Sequence, residues 1–314
     1  KSKFKSERTK SLFVGIAAHA TQPLNSPFTA GIGLTLNAAG HYSGWPIAKF
    51  GSQSISDALK KCLLEYGGKI ETGNFISSLS ELPKSKIILC DITPKQLVAI
   101  AGDNLNKNYI KSMNRFRYGS GVFKIDWALN EPVPWLSKDC HEAGTIHLGG
   151  TSLEIAEAEQ EVADGKHPDK PYVLIGQQSL FDNTRAPDGK HTLWGYCHVP
   201  HGSTKDMTDQ IENQIERFAP GFKDLIIQKT TKSTIDMEQY NPNYIGGDIA
   251  GGIQDYRQLF TRPDWSLTPY ATPTKGLYFC SSSTPPGSGV HGMCGYLAAK
   301  IALKRELNHT TKAL

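Results

Sequence analysis

Residues 276–299, Gly-Leu-Tyr-Phe-Cys-Ser-Ser-Ser-Thr-Pro-Pro-Gly-Ser-Gly-Val-His-Gly-Met-Cys-Gly-Tyr-Leu-Ala-Ala, constrain this chain more than any other stretch. The apolar run 277–280 predicts a short buried strand. It leads into a turn dense in Ser, Pro and Gly, and then into a small-residue helix predicted over 292–303. Strand, glycine-rich turn and helix N-terminus together make an anion site. The loop glycines let backbone N–H groups approach a ligand, and the first helical turn adds orphan donors and the positive end of a dipole. Gly292, Gly295, Ala298, Ala299 and Ala302 let that helix lie close against a sheet. The guest such a site suits is a nucleotide cofactor.

On these residues the segment resembles the C-terminal flavin-binding motif of the phytoene desaturase-like FAD-dependent oxidoreductases. That group also includes amine oxidases and glutathione reductase-like dehydrogenases. The resemblance implies phosphate and ribityl contacts at Ser283, Thr284 and Gly287, with Gly289, Val290 and His291 meeting the edge of the flavin ring. Ser281 and Ser283 stand where relatives often carry glycine, a departure at the point of closest backbone approach.

A second block, 44–91, reads the same way. Gly-Trp-Pro-Ile-Ala-Lys-Phe-Gly-Ser-Gln leads into a helix on which Ile55, Leu59, Cys62 and Leu63 share one face, and Gly67-Gly68 closes it. Strands are predicted at 69–72, 75–76 and 86–90, the last broken by Asp91-Ile-Thr-Pro94. The resemblance places an adenine contact at Ile76 and returns the strand ending near Asp91 to the nucleotide-binding sheet.

Between about 106 and 245 the texture changes. Strands are predicted at 121–129, 145–148, 172–175 and 192–199, divided by Gly, Pro and Asp-rich turns. A helix predicted over 203–218, capped by Ser203 or Thr204, carries Met207, Ile211, Ile215 and Phe218 on one stripe. The expected fold is mixed α/β and α+β. It joins the C-terminal part of a glutathione reductase-like FAD/NAD(P)-binding domain to an antiparallel-sheet substrate domain with helices. Expected boundaries are 1–43 (helical part of the substrate domain), 44–105 (FAD-domain segment), 106–245 (substrate domain) and 246–314 (C-terminal FAD-domain segment).

The 314 residues suffice for a large core, and 39% apolar with 20% charged residues is an ordinary globular balance. A net charge of +4, with dispersed Lys and Arg, gives no basis for nucleic-acid binding. No run of about 18 apolar residues occurs. The six cysteines form no Cys-x-x-Cys pair, which favours reduced thiols and a cytoplasmic setting.

Several residues invite sharper readings. His291 could face a flavin as a neutral imidazole, or simply cap the final helix. His147, His198 and His201 carry only a weak metal spacing, and no metal is expected. Arg185 could pair with a substrate carboxylate or lie in a solvated turn. Trp127, Trp135, Trp194 and Tyr196 could line an apolar substrate cavity or fill a core. Glu154 and Glu157 read as an exposed helix face. No residue is assigned as a catalytic acid or base.

No Gly-x-Gly-x-x-Gly fingerprint is present: Gly15, Gly31 and Gly33 are wrongly spaced for one. The resemblance therefore corresponds to the C-terminal two-thirds of a complete family member, whose N-terminal dinucleotide-binding unit would be missing. The expected parent activity is hydride transfer from a hydrophobic small-molecule substrate to FAD, with the chain inactive alone. The rival expectation is a non-catalytic binding or scaffold module that kept the fold and lost flavin. A homo-oligomer, or association with the missing N-terminal segment, is expected, and peripheral membrane contact at a cavity mouth is compatible with either.

Overall fold

Residues 121–129 and 191–199 alternate side chains of contrasting character, and pairing them puts every second one on a common face. In the computed structural model of the protein, which describes residues 3–308, they are the central partners of an antiparallel sheet. In chain order the helices and strands begin with α1 (Glu7–Ala17), α2 (Thr29–Ser43), α3 (Gln53–Glu65) and β1 (Ile88–Cys90). Then come α4 (Pro94–Ala101), α5 (Lys107–Met113), β2 (Gly121–Leu129), β3 (Ile146–Leu148), α6 (Ser152–Ala163) and β4 (Val173–Gly176). The rest are β5 (His191–Val199), α7 (Thr208–Phe218), β6 (Ile226–Lys232), α8 (Thr234–Tyr240), α9 (Tyr256–Phe260), β7 (Leu277–Phe279) and α10 (Met293–Leu307). The fold is mixed α/β, as expected.

Two compact units result. One takes the chain up to Thr72 together with Ser120–Ile235; the other takes Gly73–Gly119 and the chain from Asp236 onward. These junctions differ from the boundaries expected at 43/44, 105/106 and 245/246. The first lies later because the whole block containing α3 clusters with the antiparallel-sheet unit.

The first unit is built on a sheet of order β3-β4-β5-β2-β6. Val173, Ile175, Leu193, Cys197, Phe123, Ile125 and Trp127 point to one face, where Met207, Ile211 and Ile215 of the α7 segment close the core. Trp127 and Trp135 belong to this core. Trp127 Nε1 donates to Glu212 Oε1 at 3.0 Å, which satisfies its polar tip. Helix α7 begins at Thr208, five residues after the predicted Ser203. Asp206 takes the Thr208 amide at 2.8 Å, while the Ser203 hydroxyl lies 2.6 Å from His167 Nε2.

Helix α3 forms where its spacing predicts and ends in a Schellman turn. Gly67 adopts φ +78°, and the Gly68 amide donates to the Leu63 carbonyl at 2.9 Å. Its apolar stripe, however, stays largely uncovered: no residue of α3 is buried, and Leu59 is 68% exposed. Beyond it, 69–72 and 75–76 are irregular rather than strands. A short strand persists only with a ladder partner, and neither segment has one.

The second unit centres on β1 and β7, which pair in parallel with Ile88 opposite Leu277 and Cys90 opposite Phe279. Leu97, Ala101, Tyr109 and Met113 of α4 and α5 pack on Leu277 and Phe279. The pairing places the strand ending near Asp91 beside the strand that enters the glycine-rich loop, as the resemblance implied.

Candidate functional site

In the first unit the second face of the sheet is as informative as the core. Cross-strand pairing sets His147 opposite Leu174, and Leu174 opposite Tyr196, in one row across β3, β4 and β5. Trp194 lies two residues along β5 on the same face. With Leu12, Ile16 and His19 from the α1 region, Leu36 of α2, and Trp45, these side chains line a cavity of about 640 Å³. Its wall is largely apolar, and its polar groups are few, which is how small-molecule sites are usually built.

The principal polar feature is a pair of imidazoles. His19 Nε2 and His147 Nε2 lie 3.0 Å apart, with ring centroids 4.8 Å apart. Burial holds His19 down to about 4, with a smaller electrostatic effect from His198. Burial also holds His147 down to about 3, with smaller effects from His19 and His198. Both rings are therefore neutral at pH 7. The tilted rings of Tyr172 connect His147 to His198, whose Nδ1 sits 2.9 Å from each carboxylate oxygen of Glu159. The Tyr172 hydroxyl donates to the Gly15 carbonyl at 2.8 Å. Burial, reinforced by Glu159, pushes the Tyr196 phenol up to about 12, so it too stays neutral.

In the second unit two glycine-rich loops are locked together. Arg262, almost fully buried, donates from Nη2 to the carbonyls of Ala250, Gly251 and Gly252, from Nη1 to Ile253 and from Nε to Ser282, at 3.1–3.3 Å. Asp248 accepts the amides of Gly119, Ala250 and Gly252 at 2.7–2.9 Å. Ser283 Oγ donates to the Gly251 carbonyl at 2.7 Å.

The six expected loop contacts divide sharply. Ser283 and Thr284 are fully buried, and their hydroxyls donate to Gly251 and Ser281 carbonyls. Their amides and that of Gly287 are also spent, on Ser281 Oγ, the Ser281 carbonyl and the Thr284 carbonyl. The expected phosphate and ribityl donors at Ser283, Thr284 and Gly287 are thus committed to holding the turn. Gly289, Val290 and His291 instead stand exposed, Val290 at 91%, and their amides have no partner among the described residues. The Cys294 and Gly295 amides in the first turn of α10 add to them. His291 acts as a cap: its Nδ1 accepts the Met293 amide at 3.0 Å. Backbone N–H groups clustered at a helix start fit a pyrophosphate or flavin edge without using a side chain. Ile76 is half-buried on an irregular segment of the same unit.

The structure also resolves the other readings. His147 belongs to the imidazole pair and His198 to Glu159; among the described residues no group of three or more His, Cys, Asp or Glu is placed to hold a metal ion. Arg185 approaches the Gly51 turn, whose neighbour Phe50 donates its amide to Asp182 at 2.8 Å. Glu154 pairs with Arg217 at 2.9 Å and completes a capping box with Thr151. His19 was not singled out in the sequence; it sits at the end of the α1 region with no motif around it. No helix among the described residues is long and apolar enough to cross a membrane.

No family model matches the chain. It is 25% identical to pyridine nucleotide-disulfide oxidoreductase domain-containing protein 2 of Rattus norvegicus, over 90% of this chain and 56% of that protein. The Mus musculus protein of the same name matches to the same extent. The chain thus spans little more than half the length of these curated relatives. Among solved structures, an oxidoreductase from Methanosarcina mazei superposes with a TM-score of 0.63 at 16% identity, over 96% of this chain and 66% of that one. A double mutant of putrescine oxidase, from work on redesigned cofactor binding, gives 0.54 at 12% identity, over 97% and 65%. The chain shares its fold with these oxidoreductase structures.

Proposed function

We propose that the chain carries part of an FAD-dependent oxidoreductase: the second half of a flavin site in one unit and a cavity for a hydrophobic substrate in the other. The observation that carries this reading is the unspent row of amides at Gly289, Val290 and His291, continued by Cys294 and Gly295 at the start of α10. Those amides would hold the cofactor's anionic and ring-edge acceptors, with Ile76 as the expected adenine contact. Bound FAD would supply a hydride acceptor. The chain's own part is to orient the cofactor through backbone donors and to keep an apolar substrate out of water in the Trp194–Tyr196 cavity. Within this class the narrower placement beside phytoene desaturase-like enzymes rests on the motif at 276–299.

The test is an absorbance scan of the purified chain between 350 and 500 nm, before and after FAD is added and the excess removed. A retained flavin band is expected, weakened at least tenfold in Gly289→Val, because Gly289 holds φ +152° and an added Cβ would meet His291 at 2.7 Å. A colourless chain that rejects FAD would overturn the reading and favour a module that kept the fold without the cofactor.

The bare stripe of α3 supports a further part of the reading, association with another chain. Ile55, Leu59 and Leu63 are exposed together, which monomers tend to avoid. Light scattering at micromolar concentration should give a mass above the 34.4 kDa of one chain. The double variant Leu59→Lys, Leu63→Lys should return it to one chain with its circular dichroism unchanged. A wild-type chain already monomeric would end this part.

A further inference from the structure

The imidazole pair fixes what the cavity can recognise. With both rings neutral and their Nε2 atoms sharing one hydrogen bond, one ring must carry its proton on Nε2 and the other on Nδ1. Whichever way round this is, the two Nδ1 atoms then present one donor and one acceptor. Neither Nδ1 has a protein partner among the described residues, and the Tyr196 hydroxyl on the same wall has none either. We propose that this cavity takes an apolar alcohol, its chain against Leu12, Ile16, Leu36, Leu174 and Trp194 and its hydroxyl against the His19–His147 pair.

A hydroxyl both donates and accepts, so it matches either free ring position, donor or acceptor, and can also pair with the Tyr196 hydroxyl. An alkane fills the apolar space but leaves those groups unpaired, and a buried polar group left unpaired is a strong basis for rejection. A carboxylate offers only acceptors. It can accept from the free ring N–H and the Tyr196 hydroxyl but leaves the ring acceptor unpaired, and the Glu159 carboxylate lies nearby behind Tyr172 and His198. An alkylammonium offers only donors, finds one lone pair, and gives up its hydration to reach it. The inference rests on the reading of this cavity as the ligand site and needs no flavin.

The test uses three probes of equal chain length, 1-decanol, decanoate and decylamine, titrated into the full chain at pH 7.5 with tryptophan fluorescence as the signal. Trp194 and Trp45 line the cavity. Decanol is expected to bind about tenfold more tightly than either charged probe, a difference of one well-made hydrogen bond. In His19→Leu and in His147→Leu, checked for native circular dichroism, that preference should fall to about twofold or less. Decanoate binding as tightly as decanol, no binding by any probe, or a preference unchanged in a folded variant would each overturn it. If neither variant folds, the wild-type order alone decides. Because binding is read without cofactor, a colourless chain that still prefers decanol would separate failure of the flavin reading from failure of this one.

Discussion

Arg262→Met is expected to destabilise the second unit by about 3–5 kcal/mol, the range for removing one partner from a buried charged network. The guanidinium is 3% exposed and is the donor for five backbone carbonyls in two loops. Methionine fills similar space and stacks comparably on Phe116, over whose ring the guanidinium now lies at 5.8 Å. It leaves those carbonyls without their donor, however, and Asp248 without the nearby cation. Unpaired buried acceptors cost more than the net value of the bonds they lose. Hydrogen exchange is the appropriate readout, because it reports opening of one unit without assuming that the whole chain unfolds together. Amides of Ala250, Gly252 and Ser283 should lose protection most. Arg262→Lys restores the charge but not the planar fork, and should recover less than half of the loss. A cost below about 1 kcal/mol would show that the loops stand without this residue.

Acidification from pH 7 to pH 5 is expected to weaken the first unit by about 2 kcal/mol for each ring of the His19–His147 pair. The folded-state values, about 4 and about 3, lie below the ordinary 6.5, so the unfolded chain takes up these protons first. Stability from the neutral pair is complete above pH 6.5 and is lost as pH falls towards the folded values. Carboxylates with lowered values, such as Glu154 at about 2, act in the same direction only below about pH 4.5. The window from 6.5 to 5 therefore isolates histidine. His167 shares the direction but is more exposed, and serves as the control. Urea midpoints of the chain and of His19→Gln, His147→Gln would decide the matter. The acid-induced shift should shrink to less than half in the double variant, and an equal shift in both proteins would reassign it to other groups.

What the sequence made legible follows from how local each signal is. Periodicity found α3, α7 and the strands β2 to β5 because apolar spacing acts within one element. It also held the information that separates Trp194 and Tyr196 from Trp127. Alternation along 191–199 sends Trp194, Tyr196 and His198 to one face and Leu193, Cys197 and Val199 to the other, and pairing with β2 carries the division across. Grouping the aromatics by type concealed it. His19 was not legible, since its partner is 128 residues away and only the packing of α1 on the sheet unites them. The loop at 281–292 was placed correctly as a turn between strand and helix. Which of its amides remain free was not readable, because Ser281 and Thr284 compete for them within the turn. Stripe α3 shows the opposite failure: the spacing found the helix, but spacing cannot say whether anything covers it.

The strand order of the five-stranded sheet bears on how this protein should behave when concentrated. One border is β3, three residues long; the other is β6, whose Gln228, Lys229, Thr230 and Thr231 face water. A border that short, or that polar and lysine-bearing, is a poor template for a foreign strand. Growth into cross-β aggregates from the native sheet is thereby discouraged at both ends. Any reversible self-assembly should accordingly proceed through side-chain surfaces and dissolve on dilution, without seeding fibres.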